Sequence, residues 1–278
     1  MTIVGLLNPG EMGAAVGQCL LSRGHTVLWA SAGRSPATAA RAAGFDDAGS
    51  ADQIAARADV IMSICPPHAA LDVAHAVAGF GGLFVDANAV SPATAREVGS
   101  IAGPAGGFVD GAIIGGPPVE PGGTRLYLSG ERGAEVAGLF AGSALDARVL
   151  TGGPGPASAP APPGAASALK MAYAAWSKGT SALILAIRAL AGSEGVEDAL
   201  LAEWELSQPA LPARAEQAAR AAAAKGWRWI AEMEEIAAAM TADGLPGGFH
   251  QAAAEIYRRS ASSGDDLTAV LAAIRHPR

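Results

Sequence analysis

Apolar and polar positions along the chain fall into two regimes. Up to about residue 150, short apolar runs alternate with segments whose apolar residues recur at helical spacing. The runs Thr2–Leu7, Thr26–Ala30, Asp59–Cys65, Gly81–Asp86, Phe108–Ile114, Thr124–Ser129 and Ala147–Leu150 read as strands. Ala14–Arg23, Pro36–Ala43, Ala51–Arg57, Ala69–Ala78, Pro92–Ile101 and Glu131–Ala141 read as helices, with Ser91 capping the one that begins at Pro92. Such alternation predicts a largely parallel sheet covered on both faces.

Beyond that point the pattern changes. Thr151–Gly164 is almost entirely Gly, Pro, Ala and Ser, which sustains neither a helix nor a central strand. From Ala165 onward strand signals vanish. Helices are expected at Ala165–Ala191 (closed by Gly192), Val196–Glu205, Pro212–Ala224, Trp227–Ala242, Phe249–Ser260 and Asp265–Ile274. The first would run about 40 Å. Gly179 inside it either weakens that helix or marks the close approach of another. The expected organisation is an α/β domain over residues 1–155, an all-α domain over 156–278, and a long helix between them. No internal repeat is visible.

Composition narrows the function. Half of the 278 residues are apolar, much of that alanine, and aromatics are scarce, which favours close helix packing. A net charge of −7 with no basic run argues against nucleic acid and against an electropositive membrane surface. Cys19 and Cys65 fall in a helix and a strand and read as buried thiols in a reducing compartment, with no metal-ligand spacing around them. The first strand begins almost at Met1, leaving no room for a signal peptide. The most apolar part of the long helix, Ala182–Ile187, lies between Lys178 and Arg188 and is too short to span a bilayer. A soluble, cytoplasmic protein is expected.

The chemistry starts where the first strand meets Asn8-Pro9-Gly10-Glu11-Met12-Gly13. A helix follows, then a turn at Gly24-His25 and a second strand. This is the βαβ unit of a Rossmann-type domain, which sets a dinucleotide pyrophosphate on a helix N-terminus. Gly10 admits close backbone approach, and Gly13 lets the helix pack on the strand. The first glycine of the usual fingerprint is replaced by Asn8, a residue that tolerates left-handed backbone angles. An NAD site wants an acid at the end of the second strand, and none occurs before Asp46. Ser31, Arg34 and Ser35 offer a guanidinium and hydroxyls there, which suit a 2′-phosphate and point to NADP(H).

Ligands in such sheets lie outside the carboxyl ends of the strands. Cys65, Pro66 and His68 stand at one such end, where His68 either approaches the cofactor or caps the next helix. Asn88 either bonds the nicotinamide or ribose, or forms an Asx-type turn. Gly115-Gly116-Pro117-Pro118, after Ile114, is either exposed backbone beside a substrate or a plain loop, and Ile114, Gly115 and Gly116 are candidate substrate-binding residues. Lys170 is the sharpest single residue. The chain has three lysines against sixteen arginines, and none precedes Lys170. A lysine can exchange a proton at a tuned pKa, which arginine cannot. Lys170, Tyr173 and Ser177 share one helical stripe, with Trp176 beside it, where an interdomain cleft is expected. His250 opens a later helix, either facing that cleft or packing as a cap. Trp227, Trp229, Met233 and Met240 read as helix packing, and Glu232, Glu234 and Glu235 as mostly a solvated face.

Together these residues resemble the β-hydroxyacid dehydrogenase and 6-phosphogluconate dehydrogenase superfamily, which includes the imine reductases. The resemblance spans the chain. It rests on Gly10-Glu11-Met12-Gly13 with Gly24-His25, Val85-Asp86 before Ser91-Pro92, Asp110 before Gly115-Gly116, and Gly164 leading to Lys170. The run Ser167–Tyr173 is similar to a branch of NADP-dependent oxidoreductases with a C-terminal domain of unknown function. The resemblance implies a dinucleotide domain, a long interdomain helix, a helical second domain and a homodimer. It also implies that Lys170 is the general acid/base. The chain departs from the family at three positions: Ile114 replaces a substrate-binding Ser, Ala174 an Asn, and Met233-Glu234 a Lys-Asp pair. Groups that would bind a substrate carboxylate are thus largely gone. The expected activity is NADPH-dependent reduction of a small carbonyl compound, or oxidation of its alcohol, with Lys170 and Tyr173 catalytic. The alternatives are reduction of an imine and non-catalytic NADPH binding.

Overall fold

The computed structural model describes residues 1–152, 159–261, 263 and 266–276. The expected domain boundary between residues 155 and 156 lies outside the described residues, as does Asp265, the expected start of the last helix. The chain forms two compact units, Met1–Lys170 and Met171–Arg278.

The first unit is built on one sheet. Its strands are β1 (Ile3–Leu6), β2 (Thr26–Trp29), β3 (Asp46–Asp47), β4 (Val60–Ser63), β5 (Leu83–Asp86), β6 (Phe108–Ile114), β7 (Thr124–Ser129) and β8 (Leu145–Val149). They lie in the order β3-β2-β1-β4-β5-β6-β7-β8. Every neighbouring pair is parallel except β6 with β7, which is antiparallel. Helices α1 (Glu11–Leu21), α2 (Pro36–Arg41), α3 (Ala51–Ala55), α4 (Ala70–Ala76), α5 (Pro92–Ala102) and α6 (Gly133–Leu139) connect the strands. Leu6, Trp29, Met62 and Val85 form one row across the sheet and pack into one buried cluster. Leu28, Ile61 and Phe84 face the other way into a second. Both faces are therefore covered, as the near-continuous apolar strands require.

In the second unit the described residues form helices only. The long helix α7 runs Ala165–Ser193, and α8 (Glu197–Ser207), α9 (Leu211–Ala242), α10 (Gly248–Ser260) and α11 (Leu267–Arg275) follow. Their core contains Leu185, Met233, Ile236, Tyr257, Val270 and Leu271. Two expectations are corrected here. Gly192 does not close α7. The helix runs to Ser193 and is terminated by Gly195, whose φ of +69° lets the Val196 N–H reach back to the Ala191 carbonyl. The helices expected at Pro212–Ala224 and Trp227–Ala242 are one, α9, because Gly226 is buried against Tyr257 and continues the helix instead of breaking it. Gly179 marks a close approach: a Cβ there would stand 3.1 Å from His250 Nε2 on α10. Among the described residues no helix is long and apolar enough to cross a membrane.

Candidate active site

The carboxyl ends of β1, β2, β4, β5 and β6 lie at one end of the first unit, and most of the predicted residues sit there. At the end of β1, the Gly10 N–H donates to Asn8 O at 2.8 Å and the Ala14 N–H to Gly10 O at 2.8 Å. Asn8 makes this turn without a left-handed backbone, since no described residue other than glycine has positive φ. Pro9 is buried beneath it. A Cβ on Gly13 would lie 2.6 Å from Asn8 O, so only glycine lets α1 press this closely onto the turn. Among the described residues a Cβ on Gly10 would meet nothing within 4 Å, and Gly10 is exposed.

Helix α1 also begins without a side-chain cap, whereas Ser35, Ser50, Ser91 and Asp266 cap α2, α3, α5 and α11. Uncapped N–H groups at the positive end of an eleven-residue helix, beside an open glycine, fit an anionic phosphate. Glu11 is exposed in that first turn, and Met12 packs against the core.

At the end of β2, Arg34 Nη2 donates to Leu7 O at 3.0 Å, which draws an exposed guanidinium beside the β1 turn. Ser35 is the N-cap of α2 and shares a 3.1 Å hydrogen bond with Thr38 Oγ1. An acid does reach this corner, from an element that sequence reasoning missed. Two-residue β3 pairs Asp47 with Trp29. The Asp47 carboxylate accepts from the Ser31 side chain and from the Gly49 N–H, and these bonds hold it below the usual carboxylate range.

Beneath the surface, the ends of β4 and β5 are knitted together. Buried Asn88 accepts from the Cys65 N–H at 2.6 Å and donates to Ser63 Oγ at 2.9 Å and to Asp86 Oδ1. Both its N–H donors are thus used inside the protein. Burial also pushes the Cys65 thiol up to about 11. His68 is exposed in a single 3₁₀ turn, Pro67–Ala69, preceded by exposed Pro66.

Asp86 and Asp110 are register partners on β5 and β6, both fully buried. Their surroundings differ sharply. Asp110 accepts from Ser129 Oγ, Ser167 Oγ and the N–H groups of Gly164 and Ser167, at 2.6–3.0 Å. Among the described residues, Asp86 Oδ2 has no hydrogen-bond partner. Burial, and then the neighbouring Asp110, push the Asp86 carboxyl up to about 8, so Asp86 is the member that holds a proton at neutral pH.

Lys170 stands at the end of β6. Its Nζ donates to the Ile113 carbonyl at 2.7 Å, next to buried Ile114 and the exposed glycines Gly115 and Gly116. Thr124 Oγ1 ties down Gly116 O at 2.5 Å.

Residues 2–135 match the NAD binding domain of 6-phosphogluconate dehydrogenase, and residues 191–260 match a domain of unknown function, DUF1932. The chain thus carries, over residues 2–135, an NAD binding domain of the 6-phosphogluconate dehydrogenase type. No curated protein matches it in sequence. Among solved structures it is similar to a conserved protein of unknown function that itself resembles 3-hydroxyacid dehydrogenases, at 28% identity and TM-score 0.68 over 93% of this chain and 97% of the other. It shares its fold with Mycobacterium tuberculosis 3-hydroxyisobutyrate dehydrogenase, solved with L-serine (21% identity, TM-score 0.70, 99% and 100% covered). It also shares its fold with a reductive aminase from Aspergillus terreus, solved with NADPH and ethyl-5-oxohexanoate (20% identity, TM-score 0.55, 94% and 93% covered).

The second unit holds the other expected residues. On α7, Tyr173 and Trp176 are exposed, and the Ser177 hydroxyl donates back to Tyr173 O at 3.0 Å. His250 is buried on α10, with Nε2 3.4 Å from Ala175 O and its ring edge-on to Phe249. Two readings are corrected. Glu232 is not on a solvated face. It is buried, paired with Lys178, and the Lys178 ammonium lies 5.6 Å from the Trp229 ring centre. Trp227 is exposed and is not a packing residue, while Trp229 stacks edge-on against Tyr257.

Proposed function

We propose that the protein is an NADPH-dependent oxidoreductase acting on a small carbonyl compound or its alcohol. One observation carries the reading. In a chain whose first 135 residues match an NAD binding domain, the one lysine of the first unit is fixed by a 2.7 Å hydrogen bond at the carboxyl end of the sheet. A bound nicotinamide cofactor supplies or takes the hydride. The first turn of α1 and Gly10 hold its pyrophosphate. Arg34 and Ser35 meet the 2′-phosphate. Asn8, Pro9, Glu11, Met12, Gly13, Ser31, Cys65, Pro66, His68 and Asn88 line or brace that half of the site. The Lys170 Nζ gives a proton to the forming alkoxide, or removes one from the alcohol, and Tyr173, one turn on, orients the substrate. Ile114, Gly115, Gly116, Trp176, Ser177 and His250 complete the substrate side. The same reading takes residues 1–155 as the cofactor domain and 156–278 as the substrate domain. It includes a homodimer in the cytoplasm, and the exposed Leu183, Leu190, Val196 and Leu206 supply apolar surface for a second copy.

A second reading, reduction of an imine, is favoured by buried, apolar Ile114 beside the double glycine, at the position where the resembled family has a substrate-binding Ser. Titration of protein fluorescence with NADPH and NADH tests the cofactor, using wild type and Arg34→Ala. A preference for NADPH that falls roughly tenfold or more in the variant supports the site. A preference for NADH assigns the ribose to Asp47, and no binding of either sinks the oxidoreductase reading. Turnover of carbonyl compounds against cyclic imines separates the two chemistries. Lys170→Ala should abolish turnover while leaving cofactor binding intact, whereas a non-catalytic NADPH-binding protein would show no turnover to lose.

A further inference from the structure

A helix whose N-cap is glycine has no side chain to satisfy its first N–H groups. Helix α7 is such a helix: Gly164 precedes it with φ +99°, and the Ala168 N–H donates to Gly164 O at 2.9 Å as its first intrahelical bond. The missing acceptors come from the sheet. Ser129 Oγ accepts the Ala166 N–H at 3.1 Å, and Asp110 Oδ2 accepts the N–H groups of Gly164 and Ser167 at 2.9 and 3.0 Å. Ser129 and Asp110 are themselves register partners on β7 and β6, joined at 2.9 Å. All five of these residues are buried, and the carboxylate faces the positive end of a 29-residue helix.

The same strand then meets the same helix a second time. Asp110 binds Ser167 and Ile113 O binds Lys170, with a sequence separation of 57 in both cases. Three residues of strand advance about 10 Å and three of helix about 4.5 Å. Even where strand and helix run side by side, the difference of roughly 5 Å is within the reach of a lysine stem, so the start that Asp110 sets for α7 leaves the Lys170 ammonium able to meet the Ile113 carbonyl. We propose that Asp110, seconded by Ser129, is the positioning residue for Lys170: it sets the start of α7 so that the ammonium lands on the Ile113 carbonyl. The importance of that placement for catalysis rests on the oxidoreductase reading, whereas the placement itself does not.

Reductive methylation with ¹³C-formaldehyde reads this directly, because the chain has only three lysines besides its N-terminal amine. Lys170→Arg assigns the Lys170 signal. In Asp110→Asn and in Ser129→Ala, Lys170 should methylate roughly three- to tenfold faster than in wild type. Its dimethyl resonance should move toward that of exposed Lys225. Lys178, eight residues further along α7, should keep its rate and shift, which a general loosening of the helix would not allow. The proposal is overturned if either variant keeps the native circular dichroism spectrum and leaves Lys170 unchanged. It is equally overturned if Lys178 moves with Lys170. Should Asp110→Asn not fold, Ser129→Ala decides alone. An NADPH titration of the same wild-type sample keeps the two questions apart. A responsive Lys170 in a protein that binds no NADPH would sink the oxidoreductase reading and leave the positioning role standing.

Discussion

Two helix starts in the first unit solve the same electrostatic problem in opposite ways. Helix α1 opens with glycine at its N-cap, no capping side chain and clear space beyond Gly10. Helix α7 also opens after a glycine, but its first N–H groups are filled from within by Asp110 and Ser129. The α7 start uses a carboxylate of the protein where the α1 start leaves room for an anion from outside. A filled N-terminus fixes a geometry, and an open one recruits a ligand. The contrast therefore separates the part of the site that holds Lys170 from the part that would hold a dinucleotide.

The strongest way to break the contrast is Asp110→Ala. It strands the buried donors of Gly164, Ser167 and Ser129, and should cost about 3–5 kcal/mol of stability in urea unfolding. Next is Asp86, the neutral neighbour. In the native protein it keeps, up to about pH 8, a proton that the unfolded chain releases near its ordinary carboxylate value of 3.8. The native state then binds more protons than the unfolded one, so stability should fall as pH rises through that window. Asp86→Asn should flatten the dependence of the urea midpoint between about pH 5 and 8, and an unchanged slope would assign the proton elsewhere.

Gly13→Ala should cost about 1–3 kcal/mol, because the new methyl meets a backbone oxygen that cannot swing away. Gly10→Ala is the sharpest discriminator despite the smallest cost. With φ −68° and open space around the new Cβ, it should change stability by no more than about 0.5 kcal/mol. It should nevertheless weaken NADPH binding roughly tenfold, if that space is where the pyrophosphate lies. Equal NADPH affinity in the variant and wild type would make Gly10 a plain turn.

The contrast also marks what sequence could reveal. The open start was legible, since Gly10 and Gly13 sit between two strand-like runs and their roles follow from local backbone. Lys170 stood out through the rarity of lysine. The filled start was hidden, because its cap comes from a strand 54 residues earlier in the chain and Asp110 reads as one more acid after an apolar pair. Asp47 was hidden for a related reason: β3 is two exposed aspartates, with no apolar alternation to announce a strand. Glu232 was misplaced because three glutamates within four positions give no sign of which one meets Lys178. Gly226 was taken for a break because a glycine's packing partner, here Tyr257, is invisible in one dimension.

The borrowed cap of α7 has a kinetic corollary. A helix that carries its own cap can form its first turn early, from neighbouring residues alone. The first turn of α7 cannot, because its acceptors exist only once β6 and β7 have paired Asp110 with Ser129. Lys170 is therefore placed late, on a finished sheet. Substitutions at Asp110 should then act chiefly by speeding unfolding, leaving the folding rate almost untouched.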